Sequence, residues 1–318
     1  MLAQLFIWSH SPWFAALWAC LAVAAARFAP LPASYQPWLL FRFAAYGLAR
    51  RVLHDTDSAA YQRFAGLLSC AVLLVPALLL YWLLRQLCDW PFLLDAVLLY
   101  FCLDAGAIPQ QVRQLDASLQ KNQLSLARQQ LSSWVLRDTQ HLSEMGLIKA
   151  ALDSLILRYA TQWFGILCCF CLFGGLATLA LRILLELHYA WNTKLPRYVQ
   201  YGLWLRQTLV VVLLPPLYLF SLILALQVGW RASLRLYQQH DDRSWPKPQR
   251  FLLCVWSQTL QRQTGGPAMY QGVKVRRARL GPDTPPQRID LANAIRYVST
   301  QQNAVWLLGL LLVVGLCS

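Results

Sequence analysis

ATQWFGILCCFCLFGGLATLAL, residues Ala160–Leu181, contains no charged side chain and is apolar through most of its length. A helix rises about 1.5 Å per residue, so about 20 such residues cross the roughly 30 Å hydrocarbon layer of a bilayer. Phe64–Leu84 and Thr208–Val228 read the same way. Three further runs, Leu2–Ala26, Pro91–Ala107 and Ala304–Cys317, are candidates. The first is interrupted by Ser9-His10-Ser11-Pro12, and the other two are short enough to be re-entrant or mismatched to the lipid. No Lys or Arg precedes Arg27, so the first run lacks the basic start of a signal peptide and reads as a retained helix. The expected class is an all-α polytopic integral membrane protein, a single membrane domain over residues 1–318. It has about four to six transmembrane helices, joined by helical cytoplasmic loops.

Composition agrees. Of 318 residues, 58% are hydrophobic and 13% charged, where a soluble domain has about 25% charged residues. With six crossings, the loops at 27–63, 108–159 and 229–303 carry 5, 6 and 12 of the 28 Lys and Arg, and the two opposite loops carry 1 and 4. The positive-inside rule places the three large loops in the cytoplasm, as expected of a bacterial inner-membrane protein. The net charge of +14 is spread over those loops and accompanies no nucleic-acid motif, so the expected partner is the lipid bilayer and not nucleic acid. The densest basic cluster, Lys274, Arg276, Arg277 and Arg279, suits either anionic headgroups or a phosphate or carboxylate substrate. The cysteines at 20, 70, 102, 168, 169, 171 and 317 lie in apolar runs and fit no zinc spacing; packing is their expected role, and no metal site is assigned.

The polar segments carry local structure. Phe41–Val52 reads as an interfacial amphipathic helix. Leu124, Ala127, Leu131, Trp134 and Val135 recur at helical spacing. Ser143 is placed to cap a helix that begins with Glu144 and runs on toward Ala160. Gly174-Gly175 suggests close helix packing, and Pro215-Pro216 a kink or break in the span after it. Residues 229–303 show turns at Gly265-Gly266-Pro267 and Gly281-Pro282-Asp283, then a short helix from Leu291 to Ser299 feeding the last span. Asp95 and Asp104 stand near the ends of the third apolar run, where ionisable groups are costly.

Three short signatures punctuate this frame: Arg137-Asp138-Thr139-Gln140-His141-Leu142, Arg197-Tyr198-Val199-Gln200-Tyr201-Gly202, and Gly265-Gly266-Pro267-Ala268-Met269-Tyr270. In this order they resemble the CobD/CbiB family, membrane-bound adenosylcobinamide-phosphate synthases of cobalamin biosynthesis. The resemblance implies an amide-forming ligase, joining cobyric acid to aminopropanol or its phosphate with ATP and Mg²⁺. It implies catalytic roles for Asp138 and Asp153. It implies substrate- or phosphate-binding roles for Arg137, Thr139, Arg197, Tyr198, Gly265, Gly266 and Tyr270.

The chain also departs from the family pattern. Of three acidic positions on the helix after the first signature, Asp153 survives, while the others fall on Leu157 and Thr161; an Asn between them falls on Arg158. An Asn-Thr-Leu-Asp-Ser stretch falls near Glu186–Ala190, and an Asp-Asp pair falls on Leu209 and Val210. Magnesium prefers carboxylates together with phosphate oxygens. A centre rebuilt from Asp138, Glu144, Asp153 and Glu186 is one expectation. The other is a non-catalytic, AmpE-like membrane protein with a regulatory or partner-binding role, its partner a ligand or another protein.

Overall fold

The computed structural model describes residues 12–31, 36–54, 56–103, 107–239 and 245–317. Residues 2–11 of the first apolar run and Asp104 lie outside the described residues. Among the described residues four helices are long and apolar enough to cross a membrane: Ala59–Leu87, Glu144–Ala190, Leu203–Val228 and Ile289–Gly315. Phe14–Phe28 and Pro91–Cys102 are apolar but shorter. Only 11% of the apolar window in Ala59–Leu87 is buried within the protein, and Leu68, Val72, Val75, Leu79 and Leu83 stand exposed along it. An all-apolar exposed helix surface is stable in lipid and not in water. The chain is an all-α polytopic membrane protein.

It divides into two units, Met1–Ala107 with Ile166–Val210 and Thr300–Ser318, and Ile108–Gly165 with Val211–Ser299. In the first, α1 (Pro12–Phe28) packs on α4 (Pro91–Cys102), with the Phe14 and Phe92 rings edge-to-face at 5.2 Å. Helix α2 (Trp38–Val52), on the segment read as interfacial, packs on α3 (Ala59–Leu87). Two buried indoles tie this unit together: Trp38 Nε1 donates to the Phe101 carbonyl at 2.7 Å, and Trp191 Nε1 to that of Ala45 at 3.0 Å. A buried indole N–H without an acceptor would cost more than the bond returns, so each fixes a helix position.

The second unit is built on α7 (Glu144–Arg158), which packs against α6 (Leu124–Ser132), α11 (Lys247–Leu260) and a short strand. Leu147, Ala150, Ala151, Leu152 and Leu155 on α7, and Leu252–Trp256 on α11, are buried essentially completely. Ser143 caps α7 as its sequence position predicts, accepting from the Gly146 amide at 3.3 Å. A π-helical turn at Tyr159–Phe164 then joins α7 to α8 (Gly165–Ala190). Its wider coil lets Tyr159 stack on Trp163 at 4.9 Å while both Tyr159 and Phe164 reach Phe220. Four short strands, β1 (Thr264–Gly265), β2 (Ala268–Tyr270), β3 (Val273–Val275) and β4 (Arg279–Leu280), pair as β1–β4 and β2–β3, both antiparallel.

Two expectations are corrected. The helix break lies at Gly174 (φ 76°, ψ −170°), inside α8, while α9 (Leu203–Val228) runs through Pro215 and Pro216 as one helix. Proline removes its own amide donor, but the other amides of a membrane helix keep their partners because no water competes. At the break, the missing side chain of Gly175 makes way for the Tyr81 hydroxyl and Asp95, and Thr178 Oγ1 donates to the Gly174 carbonyl. The helix expected over Leu291–Ser299 is the start of α12 (Ile289–Cys317), which continues unbroken into the last apolar run.

Candidate functional site

The site in the second unit begins with the loop between α6 and α7. Arg128 on α6 donates to the Leu142 carbonyl through Nε (3.0 Å) and Nη2 (2.9 Å), and Thr139 Oγ1 donates to the Arg128 carbonyl at 3.0 Å. Thr139 is buried. It anchors the loop, and so presents Arg137 and Asp138.

Asp138 binds the β2–β3 turn. Its amide donates to the Met269 carbonyl at 2.8 Å, while its carboxylate accepts from the Gln271 amide at 3.2 Å and the Gly272 amide at 2.9 Å. Tyr270 pairs with Val273, leaving a two-residue turn in which Gln271 and Gly272 both have positive φ. That geometry matches the twist of a hairpin and requires a residue such as glycine.

Asp153, 3% exposed on α7, takes the neighbouring ladder. Both of its oxygens lie 3.2 Å from the Gly265 amide, and Arg137 Nη2 is 3.7 Å from Oδ2. One turn earlier, Lys149 Nζ donates to Gln263 Oε1 at 3.0 Å. The Gly266 amide donates to the Ala278 carbonyl at 2.9 Å. A methyl group on Gly266 would sit 3.4 Å from Arg279 Cγ and 3.5 Å from Lys149 Nζ. Tyr270 is buried, and its hydroxyl accepts from Arg277 Nη1 at 3.2 Å while that guanidinium lies over Trp245.

Seven of the expected site residues, Arg137, Asp138, Thr139, Asp153, Gly265, Gly266 and Tyr270, thus fall in one unit and join through hydrogen bonds or ion contacts along two ladders and a loop. Of the two carboxylates expected as catalytic groups, Asp153 is spent on the Gly265 amide of the third signature and Asp138 on the Gln271 and Gly272 amides just after it. Lys149, Gln263 and Arg279 were not singled out for the site. The signal for Lys149 was its place four residues before Asp153, which puts both on one face of α7. Arg279 was visible only as part of a basic cluster.

Arg197 and Tyr198 lie in the first unit. Arg197 is exposed; Tyr198 is buried in a 3₁₀ turn, 6.4 Å from the Tyr201 ring. In the same unit Glu186, 2% exposed, accepts from Arg42 Nη2 at 2.6 Å and Arg182 Nη2 at 2.9 Å. Arg182 lies over the Trp38 ring and Arg42 over that of Tyr189. Two cations on one buried carboxylate make a structural ion cluster, since a lone charge there would be far more costly. Glu144 is exposed in the first turn of α7.

The family resemblance implies magnesium, which needs several oxygen ligands, carboxylates among them. Among the described residues no three His, Cys, Asp or Glu side chains gather to hold a metal ion. Around Asp153 the neighbours are Arg137 and Lys149, which repel a cation. The residues do not fit a resident divalent metal.

A family model described as CobD/Cbib protein matches residues 19–298 of the chain. A protein of Chromobacterium violaceum named cobalamin biosynthesis protein CobD is 26% identical over 250 residues, 77% of this chain and 78% of that one. One of the same name from Stutzerimonas stutzeri is 27% identical over 268 residues, covering 83% and 88%. Another, from Leptospira interrogans, is 26% identical over 246 residues, covering 71% and 75%. No solved structure matches the chain significantly.

Proposed function

The chain belongs to the CobD/CbiB family of cobalamin-biosynthesis proteins, and from that premise we propose that it serves the family's amide-joining step, linking cobyric acid to aminopropanol or its phosphate at the membrane. The observation that supports this reading is the meeting of the first and third signatures. Arg137 and Asp138 come from a loop more than 120 residues before the hairpin, yet they bind it directly or through Asp153. Both partners of that contact are polar loops separated by two long apolar helices, Glu144–Ala190 and Leu203–Val228. An even number of crossings returns the chain to the same side, and the excess of Lys and Arg supports reading that side as the cytoplasm of a bacterial inner membrane.

Arg137, Lys149 and Arg279 supply the positive charge that carboxylate- and phosphate-bearing substrates need; Asp138 and Asp153 hold the loop that carries Arg137 against the strands that carry Arg279. Forming an amide from a carboxylate requires its activation, for which ATP is the co-substrate in this reading. Expression in a strain lacking the synthase tests the proposal. Growth without added cobinamide supports it, and failure by well-expressed, membrane-inserted protein refutes it.

A second reading, a non-catalytic AmpE-like protein that binds a partner, is favoured by one observation. Both site carboxylates are engaged by backbone amides, and Leu209 and Val210 are apolar where the family carries acids. Nucleotide-dependent product formed by the purified protein would eliminate it.

A further inference from the structure

A separate basic cavity lies in the second unit, between α5 (Ala107–Gln120) and the first turns of α12. Arg113, Asp116 and Gln120 recur at helical spacing and share one face of α5, as Ala292 and Arg296 do on α12. The two faces line an open cavity of about 350 Å³. Its carboxylate is already engaged: Asp116 accepts from Gln120 Nε2 at 3.1 Å and faces Arg288 Nε at 3.8 Å. Arg113 and Arg296 are exposed, and among the described residues Arg113 has no hydrogen-bond or ion-pair partner. Three guanidinium groups, those of Arg113, Arg288 and Arg296, stand against one carboxylate and leave two positive charges.

The cavity opens where this unit meets lipid. In the last turn of α9, Gln227 accepts from the Tyr297 hydroxyl at 2.7 Å, and Tyr297 is the residue after Arg296. Leu222 and Leu226, just before Gln227 on that apolar helix, are exposed and offer surface to acyl chains. Gly229, at φ 116°, then turns the chain into α10 (Trp230–Gln239), on which Trp230, Arg231 and Arg235 are exposed while Leu234, Leu236 and Tyr237 are half-buried. Tryptophan and tyrosine beside arginine belong at the boundary between hydrocarbon and headgroups.

We infer that the cavity between α5 and α12 binds the headgroup of an anionic phospholipid, with Arg113 and Arg296 holding its phosphodiester. Basic pockets of this kind, at the cytoplasmic ends of membrane helices, suit such headgroups. The ligand is a lipid and not a soluble phosphate, because exposed charges hold a small anion weakly in salt water, and the apolar surface beside Gln227 adds the burial of acyl chains. Charge selects among lipids: phosphatidylglycerol brings a negative charge of its own, whereas phosphatidylcholine neutralises its phosphate with its own ammonium group. The site is distinct from the Arg137–Asp153 cluster, and its occupancy does not depend on the reaction proposed there.

The test uses the full-length protein, stripped of lipid in a neutral detergent. Thermal unfolding is followed as phosphatidylglycerol, phosphatidylcholine or inorganic phosphate is titrated. Phosphatidylglycerol is expected to raise the unfolding midpoint saturably, and the other two much less at equal concentration. Arg113→Ala and Arg296→Ala should each weaken phosphatidylglycerol about tenfold, the loss of one charge-assisted hydrogen bond. Arg235→Ala, on the exposed face of α10 and outside the cavity, should not weaken it. Both cavity arginines are exposed, so their variants keep the fold. Native mass spectrometry should find phosphatidylglycerol retained by the parent and by Arg235→Ala, and lost from the Arg113→Ala/Arg296→Ala double variant. Four results overturn the inference: phosphatidylcholine stabilising as strongly as phosphatidylglycerol, inorganic phosphate binding as tightly as the lipid, Arg235→Ala weakening the lipid as much as Arg296→Ala, or the double variant retaining it like the parent.

Discussion

Asp153→Asn separates a positioning carboxylate from a reacting one. The residue is 3% exposed, with both carboxylate oxygens 3.2 Å from the Gly265 amide and Arg137 3.7 Å away. Asparagine keeps the shape and one acceptor but turns the other oxygen into a donor facing an amide. It also removes the carboxylate that faces Arg137 and Lys149. At an effective dielectric of about 20, a pair 3.7 Å apart interacts by about 4.5 kcal/mol. Arg137 is 18% exposed and can turn toward water, which lowers the net loss to about 2–3 kcal/mol. For a unit of this size that is a fall of about 5–10 °C in unfolding midpoint. The assay is thermal unfolding of purified protein in detergent, paired with proteolysis of the 264–280 hairpin, which should become cleavable. Adding Arg137→Gln removes the stranded cation, so the double variant should be less destabilised than the two single losses combined, by about 1–2 kcal/mol. An Asp153→Asn protein as stable as the parent and devoid of activity would refute the positioning role and restore Asp153 as a chemical group.

Three further outcomes follow from single contacts. Ser143→Ala removes the α7 cap and should cost about 1 kcal/mol in denaturant unfolding, with Ser143→Asp close to neutral. Burial pushes the Cys254 thiol up to about 12, so its reactive thiolate is scarce at pH 8 and grows only as pH approaches that value. Mass spectrometry should find Cys254 unmodified by iodoacetamide in folded protein and alkylated after denaturation; equal rates in both states would contradict the burial. Gly66→Ala would place its methyl group on the Tyr201 carbonyl oxygen, a backbone atom unable to yield, whereas Gly47→Ala meets nothing within 4 Å. Size-exclusion profiles should show the first aggregated and the second like the parent, with Gly47→Ala gaining up to about 1 kcal/mol.

Much of the fold was legible because the bilayer leaves few options. Uninterrupted apolar runs must become helices, and α3, α8 and α9 lie where composition placed them. The Ser143 cap was equally legible, since its signal is one side chain and the amide three residues on. The break at Gly174 was not, for it depends on what stands opposite: Tyr81 and Asp95, 94 and 80 residues before Gly175, leave no room for a side chain there. Proline, a local signal, pointed to Pro215-Pro216 instead. The strands were missed because runs of two or three residues have no period to detect. In the site, the family resemblance marked Arg137, Asp153 and Gly265, and the basic cluster marked Arg279, but the place of Arg279 opposite Gly265 and of Lys149 beside Gln263 became visible only in the fold.

The fate of the remaining acids gives the site its sign. In the second unit Asp116 faces Arg288, Asp290 binds Arg262 and the Gln287 amide, and Asp138 and Asp153 bind amides of the hairpin. Glu144 and Asp283, exposed, are the other described carboxylates there. A carboxylate already saturated by amides and guanidinium groups is a poor ligand for a hard cation, which must displace those partners before it binds. The unengaged donors of Arg137, Lys149 and Arg279 face no such cost toward an anion. Any anion these donors attract should be released as salt is added, most readily where the contact is made by the exposed Arg279.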